Sequence, residues 1–430
     1  MSDETADNEA TSLLSLTMTS TLEPRAPRSR ARTSVDWLID NAEAYEGVLG
    51  ALRGARRSIH VAQLAFDADC AAFGISAAAR DSVTFLDVIV ERATHGVPDV
   101  RILLNASWLL NTARPLRRAI AAHGASGRIA VRGFDRYPHF MHAKLVLVDE
   151  REAFLLGSPF VNSYWDDARH APFDANRPMR ELGGRPLHDL SVRLRGPVVR
   201  DLEHLFANVW RCAGGERAGP PARRRASRSD ASTRIVCDAP NGVSPDLPND
   251  SSEMLDALVA GIARARRFIY VEHQYLTSRP IAAALAAALA REPELEVVIV
   301  LNQNPDLTAY RGWQNARLAE QGLLAHPRVG VFALWSAAEH PERARVTRVS
   351  QLFIHSKVIV IDDEWAAVGT SNLDGVSMGD YGGDFSSALG RRVFRGVRNV
   401  EVNLVIDARA DDAPASDAES IVALRERLWA

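Results

Sequence analysis

The chain has 430 residues, 51 Lys and Arg against 54 Asp and Glu, and a formal net charge of −3. Near-neutrality gives no support for a broad nucleic-acid footprint, and 47% apolar residues are enough to bury sizeable cores in two domains of ordinary size. Three scattered cysteines, Cys70, Cys212 and Cys237, fit neither a disulfide framework nor a metal-site spacing.

Residues 1–34 are rich in Ser, Thr, Ala, acids and then arginine, and lack the apolar core of a signal peptide; they read as a disordered tail. From residue 35 onward, apolar β-branched strands alternate with helical patterns. That is the mark of α/β layers around a largely buried mixed sheet. Residues 213–232, rich in Gly, Pro, Arg and Ser, have almost nothing to bury and read as a linker. The expected organisation is an N-terminal half over 35–212 and a C-terminal half over 233–430.

Those halves repeat. Ala55–Val61 matches Ala265–Val271, Val100–Asn105 matches Val297–Asn302, Arg128–Val131 matches Arg328–Val331, and Lys144–Asp149 matches Lys357–Asp362. Leu190–Leu194 is followed by an amphipathic helix through Leu202, Leu205, Phe206, Val209 and Trp210. Val402–Ile406 is followed by another through Ile421, Leu424, Leu428 and Trp429. The fold expected is two similar α/β sandwich halves, each a mixed β-sheet flanked by helices, related by pseudo-twofold symmetry. Residues at equivalent positions would then meet between the halves. No apolar run is long enough to span a bilayer.

The chemistry lies in the repeat. His142 and Lys144 are followed by Asp149, Gly157, Ser158 and Asn162; His355 and Lys357 are followed by Asp362, Gly369, Ser371 and Asn372. On a strand, residues i and i+2 share a face, so each imidazole and its ammonium should point the same way. A cation beside an imidazole suits a phosphate, with Ser158, Asn162, Ser371 and Asn372 supplying hydrogen bonds to its oxygens. One such pair is common; two at matching places predict one shared site. Asp189 and Glu401 stand at nearly the same remove from His142 and His355, each opening a strand. A carboxylate there can fix an imidazole's tautomer. Asp149 and Asp362 follow their strands at turns and read as structural anchors, together with Gly157 and Gly369.

These motifs resemble those of the phospholipase D superfamily, His-x-Lys with a downstream Asp and Gly-Ser-x-Asn. The second copy matches throughout, with Thr370 in place of Ser. In the first, Gly157 comes one residue late and Asn162 two further late. Tyr270–Tyr275 and His188–Pro197 also resemble stretches of the family, and the resemblance runs from about residue 35 to 430. It implies a metal-independent, cofactor-free phosphodiesterase that works through a phosphohistidine, with His142 as nucleophile, His355 as acid and base, and Lys144, Lys357 and Asn372 on the phosphoryl oxygens. The residues alone leave the two histidine roles interchangeable.

The implied substrate is a glycerophospholipid at a membrane surface, hydrolysed to phosphatidic acid or transferred as phosphatidyl to an alcohol. Alternatives are a nuclease acting on DNA or RNA, for which Arg223, Arg224, Arg225 and Arg228 near the linker and the arginines from Arg25 to Arg32 would be the footprint, and a transferase like cardiolipin synthase. A cytoplasmic or peripheral membrane monomer is expected.

Overall fold

The computed structural model describes residues 32–74, 83–177, 184–215, 232–243, 252–340, 342–379, 381, 385 and 387–430. The expected tail lies outside them except at its end, where β1 already begins at Ser34. Of the expected linker, Ala213–Gly215 and Ser232 are described. Gly215 closes the preceding helix through its N–H to Trp210 O, and Ser232 accepts from Asp407 N.

The N-terminal half runs β1 (Ser34–Ile39), α1 (Asp40–Gly54), β2 (Ser58–Gln63), α2 (Phe85–Thr94), β3 (Asp99–Asn105), α3 (Ala113–Ala122), β4 (Ile129–Phe134), β5 (Leu145–Val148), β6 (Glu152–Leu155), β7 (Leu187–His188), β8 (Leu190–Arg195) and α4 (Val198–Cys212). The C-terminal half runs β9 (Thr233–Asp238), α5 (Glu253–Ile262), β10 (Phe268–His273), α6 (Arg279–Arg291), β11 (Glu296–Val300), α7 (Thr308–Glu320), β12 (Val329–Phe332), β13 (Trp335–Glu339), β14 (Thr347–Gln351), β15 (Phe353–Ile354), β16 (Lys357–Ile361), β17 (Trp365–Gly369), α8 (Gly375–Met378), α9 (Ala388–Val393), β18 (Glu401–Asp407) and α10 (Ala415–Trp429).

Each half builds a seven-stranded sheet, and the two have one topology. The first is ordered β1-β8-β6-β5-β2-β3-β4; read from its β9 edge, the second is β9-β18-β17-β16-β10-β11-β12. In both, the fifth strand in that order (β2 or β10) pairs parallel with the next strand outward and antiparallel with the central strand (β5 or β16), which starts at the end of His-x-Lys.

Strand alternation divides the apolar side chains between two faces. Val146 and Val148 of β5 join Ile59 and Val61 beneath α1, α2 and α3, whereas Leu145 and Leu147 face the opposite way. In the other sheet, Ile359 and Ile361 lie under α5 and α6, and Val358 and Val360 face away. The inward sets merge. One core contains Leu145, Leu147, Val358 and Val360 together with the stripes of α4 and α10, so both sheets and both terminal helices bury into a common layer. Residues 31–430 accordingly form one compact unit. Helix starts follow the sequence: Thr84 and Asp87 make a reciprocal capping box for α2, and Pro280 stands in the first turn of the alanine-rich α6.

Candidate active site

The two His-x-Lys segments do not lie within their strands. β5 begins at Leu145 and β16 at Lys357, so each histidine precedes its strand. The reason is pairing with the opposite half. His142 N and Ala143 N both donate to Val400 O, at 3.0 and 2.7 Å, while β15 pairs with β7 and His355 N donates to His188 O at 2.8 Å. A backbone committed across the interface cannot also continue the ladder of its own sheet. Each lysine turns back, its ammonium donating to the carbonyl of the histidine two residues earlier.

Two asparagines fix the segments from beneath. At the end of β3, Asn105 accepts from Met141 N and donates to Met141 O, both at 2.9 Å. Asn302, at the end of the run equivalent to β3, does the same to Ile354, at 2.9 and 2.7 Å. The residue before each histidine is thus held by a two-point clamp. Asn105 and Asn302 close matching runs in the two halves, which is the signal that marks them.

Each histidine then meets the carboxylate of the other half. His142 Nδ1 lies 2.9 Å from Glu401 Oε2, and His355 Nδ1 lies 2.8 Å from Asp189 Oδ2. The carboxylates are held in turn: Thr370 Oγ1 and Ser377 Oγ donate to Glu401, at 2.6 and 2.8 Å, and Ser158 Oγ donates to Asp189. With Nδ1 engaged, Nε2 of each ring is left for chemistry. A Cβ on Gly157 would collide with the Asp189 carboxylate, and one on Gly369 with Asn403 and Val402 O, so both positions need the bare backbone.

Burial and mutual repulsion set the protonation states. Lys144 is lowered to about 7, first by desolvation and then by Lys357; desolvation likewise lowers Lys357 to about 8. Burial, then the ammonium of Lys357, lowers His355 to about 4 against the pull of Asp189. His142 is lowered by burial and both lysines against Glu401. Burial alone would raise Asp189, but His355, Lys357 and Ser158 hold it at about 2. The two imidazoles and two lysines sense one another, and their mutual repulsion is relieved when an anion enters between them.

Not every expected residue arrives there. Asn162 has its amide occupied elsewhere: Oδ1 accepts from Ala71 N, and Nδ2 donates to Asp69. Its place in the repeat belongs to Phe160, buried among Tyr45, Phe66 and Phe85. Ser158 serves the carboxylate, and Ser371 Oγ accepts from Asn403 Nδ2 at 2.6 Å. Asn372 Oδ1, by contrast, is buried with no partner. Asp149 accepts from the N–H groups of Arg56, Arg57 and Ser58, and Asp362 from those of Arg266, Arg267 and Phe268; each carboxylate ties the start of one strand (β2 or β10) to the end of its neighbour. Both aspartates have positive φ at 56°.

This architecture defines a class: duplicated α/β halves that contribute one His-x-Lys each to a common centre. Comparison with known proteins agrees. Residues 258–384 match the family described as cardiolipin synthase, PLD-like domain, a span that includes the second motif. Phospholipase D alpha 1 of Oryza sativa subsp. japonica is 22% identical over 319 residues, covering 54% of this chain and 39% of that protein. The probable cardiolipin synthase YwiE of Bacillus subtilis (strain 168) is 21% identical over 354 residues, covering 80% and 60%. The phosphatidylserine synthase structure from Haemophilus influenzae Rd KW20 superposes with a TM-score of 0.57 at 12% identity, over 91% of this chain and 85% of that one. The chain is thus similar to proteins of the phospholipase D superfamily in its second motif and in its fold. It spans about two fifths of the length of the rice relative that it matches.

Proposed function

We propose that the protein cleaves or exchanges the head-group phosphodiester of glycerophospholipids through a phosphohistidine. The observation that carries this reading is the crossed pairing of two imidazoles with two carboxylates around two buried lysines. The phosphate lies between Lys144 and Lys357, with Asn372 on a third oxygen. Its negative charge offsets the repulsion that depresses the lysines and histidines, so they take up protons as it binds.

His142 Nε2 attacks phosphorus, the P–O bond to the leaving alcohol breaks, and the Nε2 proton of His355 goes to the departing oxygen. Water or a second alcohol then gives its proton to His355 and attacks phosphorus, and the N–P bond breaks. The lysines match the charge that moves onto the equatorial oxygens. None of these steps calls on a metal.

A lipid substrate is supported by the relatives and by the surface beside the first motif. Trp108 is 77% exposed and Leu109 59%, and Trp108 stacks edge-on against Tyr137 at 5.1 Å, five residues before His142. Apolar side chains there suit an interface with lipid. The family description and the synthase neighbour favour transfer to an alcohol as much as hydrolysis.

The test uses EDTA-treated protein with phosphatidylcholine vesicles, single-stranded DNA and a soluble nitrophenyl phosphodiester. Release of phosphatidic acid, or of phosphatidylbutanol when butanol is added, is expected; cleavage of DNA alone would replace the lipid reading with the nuclease one. His142→Ala and His355→Ala should each abolish turnover, with the double variant little worse than either. With a nitrophenolate leaving group, which needs no proton, His355→Asn should trap a phosphoryl adduct on His142 by intact mass. An adduct on His355 of the His142→Asn protein would exchange the roles. The deeper burial of His355, which holds its imidazole neutral, is the observation on that side.

A further inference from the structure

A cluster of buried charges stands behind His355 and, among the described residues, is matched only in part behind His142, where Asp238 lies beside Glu401. His188, at the end of β7, places Nδ1 2.9 Å from Asp40 Oδ1 and Nε2 3.2 Å from Glu272 Oε1. Asp40 opens α1 in the N-terminal half, and Glu272 sits on β10 of the C-terminal half. Asp40 Oδ1 also accepts from Asp189 N at 3.2 Å. Glu272 accepts from Ser356, the middle residue of the second motif, and from Tyr270 OH at 2.5 Å.

In the other half the acid at the end of the edge strand is kept, Asp238 standing where Asp40 stands, but the three other positions are apolar. By strand register, Ala62 stands where Glu272 stands, since it faces Leu145 as Glu272 faces Val358. Ala143 takes the place of Ser356, and Val400 that of His188. Three positions differ together, from mutually bonded polar groups on one side to apolar ones on the other. A buried ion cluster is seldom a gain in stability over apolar packing, so retention on one side only points to a local duty.

We propose that Asp40, His188 and Glu272 form a brace that positions the Asp189–His355 pair, one imidazole bridging two carboxylates from opposite halves. The brace holds this pair from both sides. His188 O accepts from His355 N, Asp40 fixes the Asp189 backbone, and Glu272 reaches Ser356 beside His355. Asp166 adds a third grip by accepting from Leu187 N at 2.6 Å.

Burial would lower His188, but Glu272 and Asp40 hold it well above the ordinary histidine value, so it is an imidazolium. Its other neighbour is the His170 ring, 5.3 Å away and edge-on, which in turn faces Asp40 and Asp166, the latter paired with Arg177 at 2.6 Å. Two carboxylates and one imidazolium leave one net negative charge behind His355. That surplus favours a proton on His355 and hence the acid role, while behind His142 the places of His188 and Glu272 are taken by Val400 and Ala62, and burial raises the remaining acid, Asp238, to about 7, so the bias there is weaker.

The inference rests on the site proposed above, and its test separates the two. Glu272→Gln keeps the shape and removes a negative charge, so it should lower the His355 titration in a histidine NMR series. His188→Gln removes a positive charge and should raise it. Each shift should be roughly half a unit or more, given charges within about 8 Å at an effective dielectric near 20. Turnover of the soluble diester should fall about 10–100-fold in His188→Gln with KM within about threefold.

Shifts of opposite sign are the decisive readout, because mere loosening of the fold moves both variants alike. Unshifted His355 titration with unchanged kcat in two folded variants would overturn the brace. So would stoichiometric Zn2+ binding abolished by His188→Gln, which would make Asp40, His170 and His188 a metal site. If His188→Gln does not fold, the isosteric Glu272→Gln and the small Ser356→Ala change carry the NMR measurement. A wild-type protein inert toward every diester would defeat the proposed function and leave the NMR shifts to decide the brace.

Discussion

At the scale of single residues, the lysines expose the tension between binding and stability. Lys144 is fully buried and lowered to about 7, so from pH 10.5 down to about 7 the unfolded chain binds a proton that the folded chain does not. Stability therefore falls as pH drops through that window and levels off below it. Lys144→Met keeps the bulk and removes the penalty. It should abolish turnover yet raise stability at pH 7 by roughly 1–3 kcal/mol, with the advantage shrinking toward pH 10. Urea unfolding at pH 7 and 9.5 measures both; a variant destabilised equally at the two values would refute the assignment of strain to this ammonium.

At the scale of elements, the short segments before β5 and β16 matter more than the strands. Each is held by an asparagine beneath and by the other half's backbone alongside. Asn105→Ala and Asn302→Ala should each leave a buried backbone N–H and C=O of Met141 or Ile354 unpaired, costing about 1–3 kcal/mol. They should also cut turnover about 10–100-fold through misplacement of the following histidine. Matched losses of stability and rate in both variants are expected, by thermal unfolding and by kcat on the soluble diester. A full rate in either would mean that its histidine is positioned without the clamp.

The same segments show where sequence reading stops. Repeated runs around β2, β3, β5 and their partners disclosed the duplicated sheets, because buried strands carry their pattern locally. The doubled His-x-Lys spacing disclosed which residues gather. Pairing between Met141 and Val400, or between Ile354 and His188, joins residues hundreds of positions apart and leaves no local trace. The histidines were therefore expected on strands that in fact start after them. Asn162 was expected at the phosphate because an Asn follows the Gly-Ser pair, but its spacing delivers it to the Asp69–Ala71 turn. His188 and Glu272 are invisible to a search for repeats because they break the repeat, with Val400 and Ala62 in their places.

At the scale of the whole molecule, the halves share a core that neither can bury alone. Leu145, Leu147, Val358, Val360 and the inner faces of α4 and α10 would all be bared by separation. Expressed singly, residues 32–215 and 232–430 should be poorly soluble and inactive. Co-expression should recover a complex with activity toward the soluble diester, measured after co-purification on a tag carried by one half. Activity in either half alone would contradict a centre that draws one histidine and the opposite carboxylate from each.

The crossed carboxylates also bear on ancestry. A histidine served by an acid from the other copy is the arrangement expected of two identical subunits facing one another, later encoded in tandem. Two copies joined in one chain are free to diverge, but only in concert. A change at Glu401 is felt at His142, and one at Asp189 at His355. Neither copy can decay into a mere scaffold without disarming its neighbour. Ala62, Ala143 and Val400 on one side and Glu272, Ser356 and His188 on the other mark how far the two copies have specialised within that bond.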